Sequence, residues 1–252
     1  MSGHSKWSTI KRKKGAADAK RGQIFTRLAR EISIAARQGG GDPDTNFRLR
    51  LAVDRARANN MPKDNIERAI LKGTGEGKDG GVQIEEVMYE GYAPHGVAML
   101  IECVTDNRNR AVAEIRHTLT RFGGSMGETG SVNWQFDRMA YFSFSLGEYD
   151  EDRIFELAVE GGADDVTFDD GVVEIIGEID NFKAINDELE AAHIETDEAG
   201  LRMFPKNEID LSPSDTAQVL RVVEALEELE DVQNVYSNLR ITDEALEELE
   251  TA

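Results

Sequence analysis

The sequence predicts a multi-domain α+β protein, in which an N-terminal three-helix domain precedes two ferredoxin-like α+β domains, one inserted in the other. Three observations lead to this fold class. Apolar residues recur with a helical period between residues 18 and 73. Residues 137–206 follow the order βαββαβ. Residues 82–136 lack a final helix and strand, and residues 209–241 provide that pair. The predicted domains are residues 1–78, residues 79–136 together with 207–252, and residues 137–206.

The first predicted helix begins at Asp18 and ends at the three glycines 39–41. Its apolar side chains fall on one stripe and its basic side chains on the opposite side, as a period of about 100° per residue requires. The inward stripe consists of Ile24, Leu28, Ile32 and Ala35, and the outward side of Lys20, Arg27, Arg30 and Arg37. The pattern therefore predicts an amphipathic helix with a cationic, solvent-facing side.

Two shorter helices complete the N-terminal domain. Thr45 or Asn46 is the candidate N-cap of the second helix. Pro62 marks the start of the third helix, and Gly73 is its predicted end. Residues 73–81 form a glycine-rich linker, at which the helical period gives way to strand patterns.

Beyond the linker, residues 85–105 predict a β-hairpin that turns at residues 93–96. Residues 108–124 predict a helix that glycines end, and SVNWQF at residues 131–136 predicts a further strand. A second hairpin, turning at residues 169–171, lies inside the βαββαβ segment.

Charge is distributed very unevenly along the 252 residues. Residues 1–78 contain 18 lysines and arginines and 8 acids, whereas the rest of the chain contains 11 and 41. A protein polarised in this way is expected to bind a polyanion at its basic end only, because the acidic remainder repels nucleic acid.

The most basic stretch is the segment that precedes the first helix, which we call the arm (residues 1–17). It contains the run KRKK at residues 11–14, no acid, and two flat side chains, His4 and Trp7, that can stack on bases. A solubilising tail is the simpler interpretation, but the basic helix that follows favours nucleic-acid binding. The candidate nucleic-acid-binding residues are Lys6, Trp7, Lys11, Arg12, Lys13, Lys14, Lys20, Arg21, Arg27 and Arg30.

A second stretch of interest is DNRNR at residues 106–110. Asp106 and Asn107 can cap the following helix, which would leave Arg108 and Arg110 as ordinary exposed side chains. The alternative is that Arg108 and Arg110 make an auxiliary phosphate contact, helped by the free N–H groups of the helix N-terminus.

No constellation of catalytic side chains emerges from the sequence. The four histidines lie far from one another and from the single cysteine, Cys103, so no metal-ligand spacing is present. We expect Cys103 to be a buried, unreactive thiol. We therefore predict a non-enzymatic protein without cofactor or metal; a hydrolase or transferase acting through an acidic cleft is the alternative. The absence of a signal-peptide pattern and of a membrane-span pattern predicts a cytoplasmic location.

Six motifs resemble those of one family. They are GHSKW at 3–7, AKRGQIFTRLARE at 19–31, GGGDPDTN at 39–46, NNMPKDNIERAI at 59–70, YEGYAPHG at 89–96 and DNRNR at 106–110. Together they resemble the YebC/PmpR family, which includes bacterial proteins and a mitochondrial translational activator of cytochrome oxidase. The resemblance spans nearly the whole chain and implies a three-domain fold.

The resemblance also implies a regulatory function with two versions. In the first, the protein is a DNA-binding transcriptional regulator. In the second, it is a ribosome-associated translational activator that binds ribosomal RNA and relieves stalls at proline-rich stretches. In both versions the acidic domains would contact protein partners in the transcription machinery or on the ribosome, and no membrane is involved.

Overall fold

The computed structural model describes residues 17–76, 84–169, 171–242 and 244–245. The described chain forms two compact units. The larger unit contains the described parts of residues 17–135 and 207–245, and the inserted unit contains those of residues 136–206. The finer division of the larger unit at residue 78 stays a prediction.

Three helices open the larger unit: α1 (Ala17–Gly39), α2 (Phe47–Ala58) and α3 (Lys63–Thr74). Asn46 caps α2, because its Oδ1 accepts the N–H of Leu49 at 3.1 Å. Its Nδ2 donates to the carbonyls of Ala35 and Gly40 at 2.7 and 2.8 Å, so the same side chain also holds the end of α1. The core between the helices consists of Leu28, Ile32, Ala35, Ala36, Leu49, Ala52, Val53, Ala56, Met61, Ile66 and Ala69.

The predicted inward stripe of α1 is wrong at one position, since Ile24 is 42% exposed. Helix α1 has 23 residues while α2 and α3 have 12 each. At a rise of 1.5 Å per residue, α1 is about 35 Å long and its partners only about 18 Å. The early turns of α1 therefore extend past the helices that could cover them.

Gly73 was predicted to end α3, but it lies inside that helix, which ends at Thr74 with Gly75 in the left-handed conformation (φ 81°). Gly73 has a different role. A Cβ atom at this position would lie 2.2 Å from the carbonyl oxygen of Ser33. The absence of a side chain thus lets α3 lie directly against α1.

The first sheet follows. Its strands are β1 (Glu85–Tyr92), β2 (Ala98–Thr105), β3 (Ser125–Met126) and β8 (Val232–Ser237). Strands β4 to β7 belong to the inserted unit, which lies between β3 and β8 in the chain. Its order is β3-β1-β2-β8, and neighbouring strands are antiparallel. Helices α4 (Arg108–Arg121) and α7 (Pro213–Glu227) cover one face. Because β8 pairs with β2, segments on both sides of the insertion build one sheet.

Strand β2 is buried along almost its whole length. Met99, Ile101 and Cys103 point into the core beneath α4 and α7. Val104, on the opposite face, packs with Ile34 of α1 and with Ile84. A strand with apolar side chains on both faces indicates that the sheet is covered on both sides, and α1 provides part of the second layer.

The strand predicted at residues 131–136 is wrong. Residues Asn133–Gln135 form a short 3₁₀ helix, and Ser125–Met126 is the strand that pairs with β1. The physical reason is Glu90, whose carboxylate accepts the N–H groups of Gly130, Val132 and Asn133 at 2.6, 2.6 and 2.9 Å. These backbone donors bind a side chain and therefore cannot join a neighbouring strand.

The inserted unit has the elements β4 (Phe136–Ser145), α5 (Glu151–Glu160), β5 (Ala163–Asp169), β6 (Val172–Gly177), α6 (Phe182–Ala191) and β7 (Glu198–Pro205). Its sheet has the antiparallel order β5-β6-β4-β7. In the unit's own chain order this is 2-3-1-4, the ferredoxin-like arrangement that the sequence predicts. Phe142 of β4 packs on Phe182 of α6 with ring centroids 4.7 Å apart.

The predicted α+β fold class is confirmed, because N-terminal helices precede two antiparallel sheets. The first sheet also has four strands and two covering helices, but in the connectivity ββαβ…αβ. Among the described helices, none combines the length and the apolar character that a membrane crossing needs.

Candidate nucleic-acid interface

Six of the ten predicted nucleic-acid-binding residues lie in the arm, outside the described residues: Lys6, Trp7, Lys11, Arg12, Lys13 and Lys14. Two more, Lys20 and Arg21, belong to the beginning of α1. Their roles stay predictions. The structure places the side chains of the remaining two, Arg27 and Arg30, and of the auxiliary pair Arg108 and Arg110.

Arg30 was predicted to face solvent, but its side chain is only 13% exposed. Its Nη1 lies 3.0 Å from Oδ1 of Asp231, and its Nη2 lies 2.8 Å from Oε1 of Glu230. The sequence pattern identifies one buried face of α1, whereas α1 packs on α2 and α3 with one side and on the first sheet with the other. Arg30 lies on this second side, and its charge is already neutralised by the protein.

Arg110 is bound to the same carboxylate. Its Nη2 lies 2.9 and 2.8 Å from the two oxygens of Asp231, and it also reaches Asp106 at 2.8 Å. Arg108 forms an ion pair with Glu85. Asn107 caps α4 by accepting the N–H of Arg110 at 3.1 Å. Both arginines of DNRNR therefore have acids of the same chain as partners, and a phosphate contact by either of them stays a prediction.

Asp231 is the organising residue of this region, and its side chain is 2% exposed. Besides Arg30 and Arg110, it accepts the hydroxyl of Thr105 at 3.0 Å. A buried carboxylate is stable when charged partners and hydrogen bonds compensate its desolvation, and two guanidinium groups provide this here. Asp231 does not stand out in the sequence, because it belongs to an acidic run (EELED) that resembles a solvated helix end.

Further contacts join α1 and α2 to the first sheet. Arg37 donates to the carbonyl of Ile84 at 2.7 Å, and Arg48 forms an ion pair with Glu86. Together with the Arg30–Asp231–Arg110 cluster, these contacts form what we call the junction. The junction holds the helices at a defined place on the first sheet.

Arg27 differs from Arg30. It is half-buried, and no acid lies within ion-pair distance of it among the described residues. Burial, followed by repulsion from Arg30, lowers the pKa of Arg27 below its ordinary value. A cation that is partly desolvated and lacks a counter-charge gains most from an external anion. Arg27 is thus the predicted binding residue whose described environment suits a phosphate contact.

Other kinds of site find little support in the described residues. No group of three or more histidine, cysteine, aspartate or glutamate side chains there is arranged to hold a metal ion. Cys103 is buried as predicted, and burial raises its pKa to about 12. A thiol in this environment is a poor nucleophile at neutral pH.

Two family models match the chain in succession. The first, described as the TACO1/YebC protein N-terminal domain, matches residues 5–76, and the second, described as the TACO1/YebC second and third domain, matches residues 84–239. The boundary between the two matches falls in the predicted glycine-rich linker.

Similar proteins are found at full length. A "Probable transcriptional regulatory protein" of Desulfatibacillum aliphaticivorans is 51% identical over 98% of this chain and 100% of its own. A protein of Borrelia turicatae with the same description is 52% identical over 97% and 99%. A conserved hypothetical protein of Aquifex aeolicus has a similar crystal structure, with a TM-score of 0.84 and 40% identity over 90% of this chain and 93% of that one.

Proposed function

Because the chain belongs to the TACO1/YebC family, as its six motifs predict, we propose that it is a non-enzymatic regulatory protein that binds nucleic acid through its basic arm and α1. The names of its relatives favour DNA as the target and transcription as the process that is regulated. One observation carries the proposal: the first 17 residues contain five lysines and arginines and no acid, in a protein of net charge −20.

The described contacts are consistent with this division of roles. Arg30 and Arg110 are neutralised inside the protein and hold the junction, whereas Arg27 has no acid partner within the described residues. The arm, Lys20, Arg21 and Arg27 would contact phosphates, and Trp7 would stack on a base. The acidic remainder would stay clear of the nucleic acid and be free to contact a protein.

Salt dependence of binding tests the proposal. If about six phosphates are neutralised, the slope of log K against log salt is near −5 on B-DNA, and affinity falls about 10³-fold between 50 and 200 mM salt. Replacing Lys11, Arg12, Lys13 and Lys14 by alanine should reduce the magnitude of the slope by about 3.6. Fluorescence anisotropy with a labelled 30-base-pair duplex measures both quantities.

The matched control removes four cations that are paired with acids elsewhere in the chain: Arg153, Lys183, Lys206 and Arg240. It lowers the net charge equally and should leave the slope unchanged. Binding that is insensitive to salt, or an arm variant that binds like the wild type, would exclude the proposal.

One observation favours the second version, in which the target is ribosomal RNA. A DNA-reading helix needs free side chains at its start. Helix α3, which follows α2 after a short turn, has Asp64 in its first turn and Lys63 within 3.5 Å of Glu67. Such a helix is poorly suited to read bases.

The two versions predict different partners in the cell. Under the translational version, the protein co-sediments with ribosomes and its absence slows translation of proline-rich stretches. Under the transcriptional version, it crosslinks to defined genomic DNA sites and not to ribosomal RNA. Crosslinking in cells, followed by sequencing of both RNA and DNA, separates them.

A further inference from the structure

The cations of the acidic part of the chain fall into two groups. Residues 79–252 contain 11 lysines and arginines, all within the described residues, and seven of them lie within 4.0 Å of an acid of the same chain. The four that do not, within the described part of the chain, are Arg116, Arg121, Arg138 and Arg221.

Three of these four arginines lie on the two helices that cover one face of the first sheet. Arg116 and Arg121 belong to α4, and Arg221 belongs to α7. All three are exposed. The two helices share a core, in which Ile115 of α4 and Leu220 of α7 both take part. The cationic side chains thus stand on a rigid, packed surface and not on a loop.

The three arginines also lie close together in the direction of the helix axes. The end of α4 and the start of α7 meet at the turn of residues 94–96: a Cβ atom on Gly123 would be 3.9 Å from Pro94, and His95 bonds Gln218 at 2.8 Å. Measured from the end of α4 and the start of α7 at 1.5 Å per residue, Arg121, Arg116 and Arg221 fall within about 12 Å along the helix axes.

Three acids lie near this surface. Asp215, in the first turn of α7, is within 3.5 Å of His95. Glu114 and Glu224 are the nearest along the two helices, and both are half-buried. The guanidinium of Arg121 lies over the ring of Phe122, 5.4 Å from its centroid, which restrains its position. The first turn of α4, by contrast, is occupied, because Arg108 and Arg110 are paired with acids.

We propose that Arg116, Arg121 and Arg221 form a second binding surface for the phosphodiester backbone of the nucleic acid that the arm binds. The charge of the surface, its rigidity and the lack of ion-pair partners for its arginines within the described residues favour a polyanion with regularly spaced phosphates, which follow one another every 3.4 Å along the axis of one duplex strand. This inference rests on the proposed function and extends it. The auxiliary contact lies on the middle and end of α4 and on α7, and not in DNRNR.

The test compares two triple variants of the full chain with the wild type. The first carries R116A, R121A and R221A, and the control carries R153A, K183A and R240A, which remove three exposed but paired cations. Anisotropy titrations at several salt concentrations use a 30-base-pair DNA duplex and an RNA hairpin of equal charge, and variants are compared on the probe that the wild type binds more tightly. Circular dichroism verifies that both variants are folded.

We expect the first variant to bind on the order of tenfold more weakly and the magnitude of its salt slope to fall by up to about 2.7, while the control is unchanged. Equal losses in both variants would mean that net charge alone matters and would overturn the inference. A first variant that binds like the wild type would also overturn the inference. If the variant that lacks the four arm cations still binds more weakly, the proposed function stands without this second surface. A wild type that binds neither probe would reject the proposed function itself.

Discussion

Cys103 illustrates what one residue's surroundings decide. It lies on β2, fully buried beneath α4 and α7. Burial, followed by the negative charges of Asp231 and Glu102, raises its pKa to about 12. The thiolate is thus disfavoured in the folded protein, whereas an unfolded chain ionises this group at an ordinary pKa near 9.0. Ionisation of this thiol therefore lowers the free energy of unfolding as the pH rises from about 9 to about 12, and lowers it no further above that pH.

We expect Cys103 to be unreactive in the native protein at pH 8. A colorimetric disulfide reagent should label less than about a tenth of the thiol within an hour, because reaction needs both exposure and the thiolate. In 6 M guanidinium, the same reagent should label one thiol per chain. Rapid, complete labelling of the native protein would show that β2 is more accessible than described.

Arginine shows the same dependence on surroundings. Arg27 and Arg30 are three residues apart on one helix, and the sequence assigns both to its solvent-facing side. In the structure Arg30 binds Asp231 and Glu230, and Arg27 binds neither. Their different environments arise from a second packing surface on α1, about which the helical period of apolar residues contains no information.

At the scale of elements, Glu90 decides the conformation of the segment after β3. Its side chain is buried, with 7% of its surface exposed, and accepts three backbone N–H groups. Desolvation by itself would raise the pKa of Glu90, but the three donors outweigh it and the pKa lies below its ordinary value of 4.5. Trp134, which belongs to the same segment after β3, is 66% exposed.

Glu90→Gln should lower the free energy of unfolding by about 1–3 kcal/mol at pH 7, because an amide accepts through one oxygen and places its NH₂ against a backbone donor. Since the folded pKa is depressed, the advantage of the wild type is full above pH 4.5 and is lost as the pH falls through the folded value. Urea denaturation from pH 7 to pH 3 measures this trend.

The exposed Glu128 provides the matched control, and Glu128→Gln should change stability by less than about 0.5 kcal/mol. A Glu90→Gln protein as stable as the wild type at pH 7 would contradict the role assigned to the carboxylate.

At the scale of the whole molecule, the junction connects the basic beginning of the chain to its acidic body. Asp231 lies near the end of the sequence, yet it binds Arg30 of α1 and Arg110 of α4. Removing one partner of a buried ion pair leaves an uncompensated charge and is strongly destabilising. Among the contacts of the junction, this carboxylate is the one that joins α1 to α4.

Asp231→Asn should cost about 3 kcal/mol and should accelerate amide exchange in α1 more than in the inserted unit. Native-state hydrogen exchange detects this local effect. Glu230→Gln is the control, since the Glu230 side chain is 66% exposed and its pairing with Arg30 should contribute less than about 1 kcal/mol. If the two variants behave alike, Asp231 does not organise the junction.

Local patterns in the sequence are sufficient to predict the fold class and several helix caps of this protein. Helical periods, glycine breaks and the strand order of residues 137–206 predict the fold class, and the concentration of cations before α1 predicts where a polyanion would bind. Asn46 was one of two candidate caps for α2 and Asn107 one of two for α4, and each is the observed cap. These features depend on residues close together in the chain, where spacing and propensity act directly.

Tertiary structure alone decides which charges remain available. Arg30, Arg108 and Arg110 resemble Arg116, Arg121 and Arg221 in sequence, but the first three meet acids that the fold brings to them from up to 201 positions away in the chain. Tertiary structure also decides the role of Glu90. Its carboxylate binds the backbone of a segment that the sequence predicts to be a strand. Coulomb attraction and hydrogen bonding act through space, so the partner of a charged group becomes known only when the chain has folded.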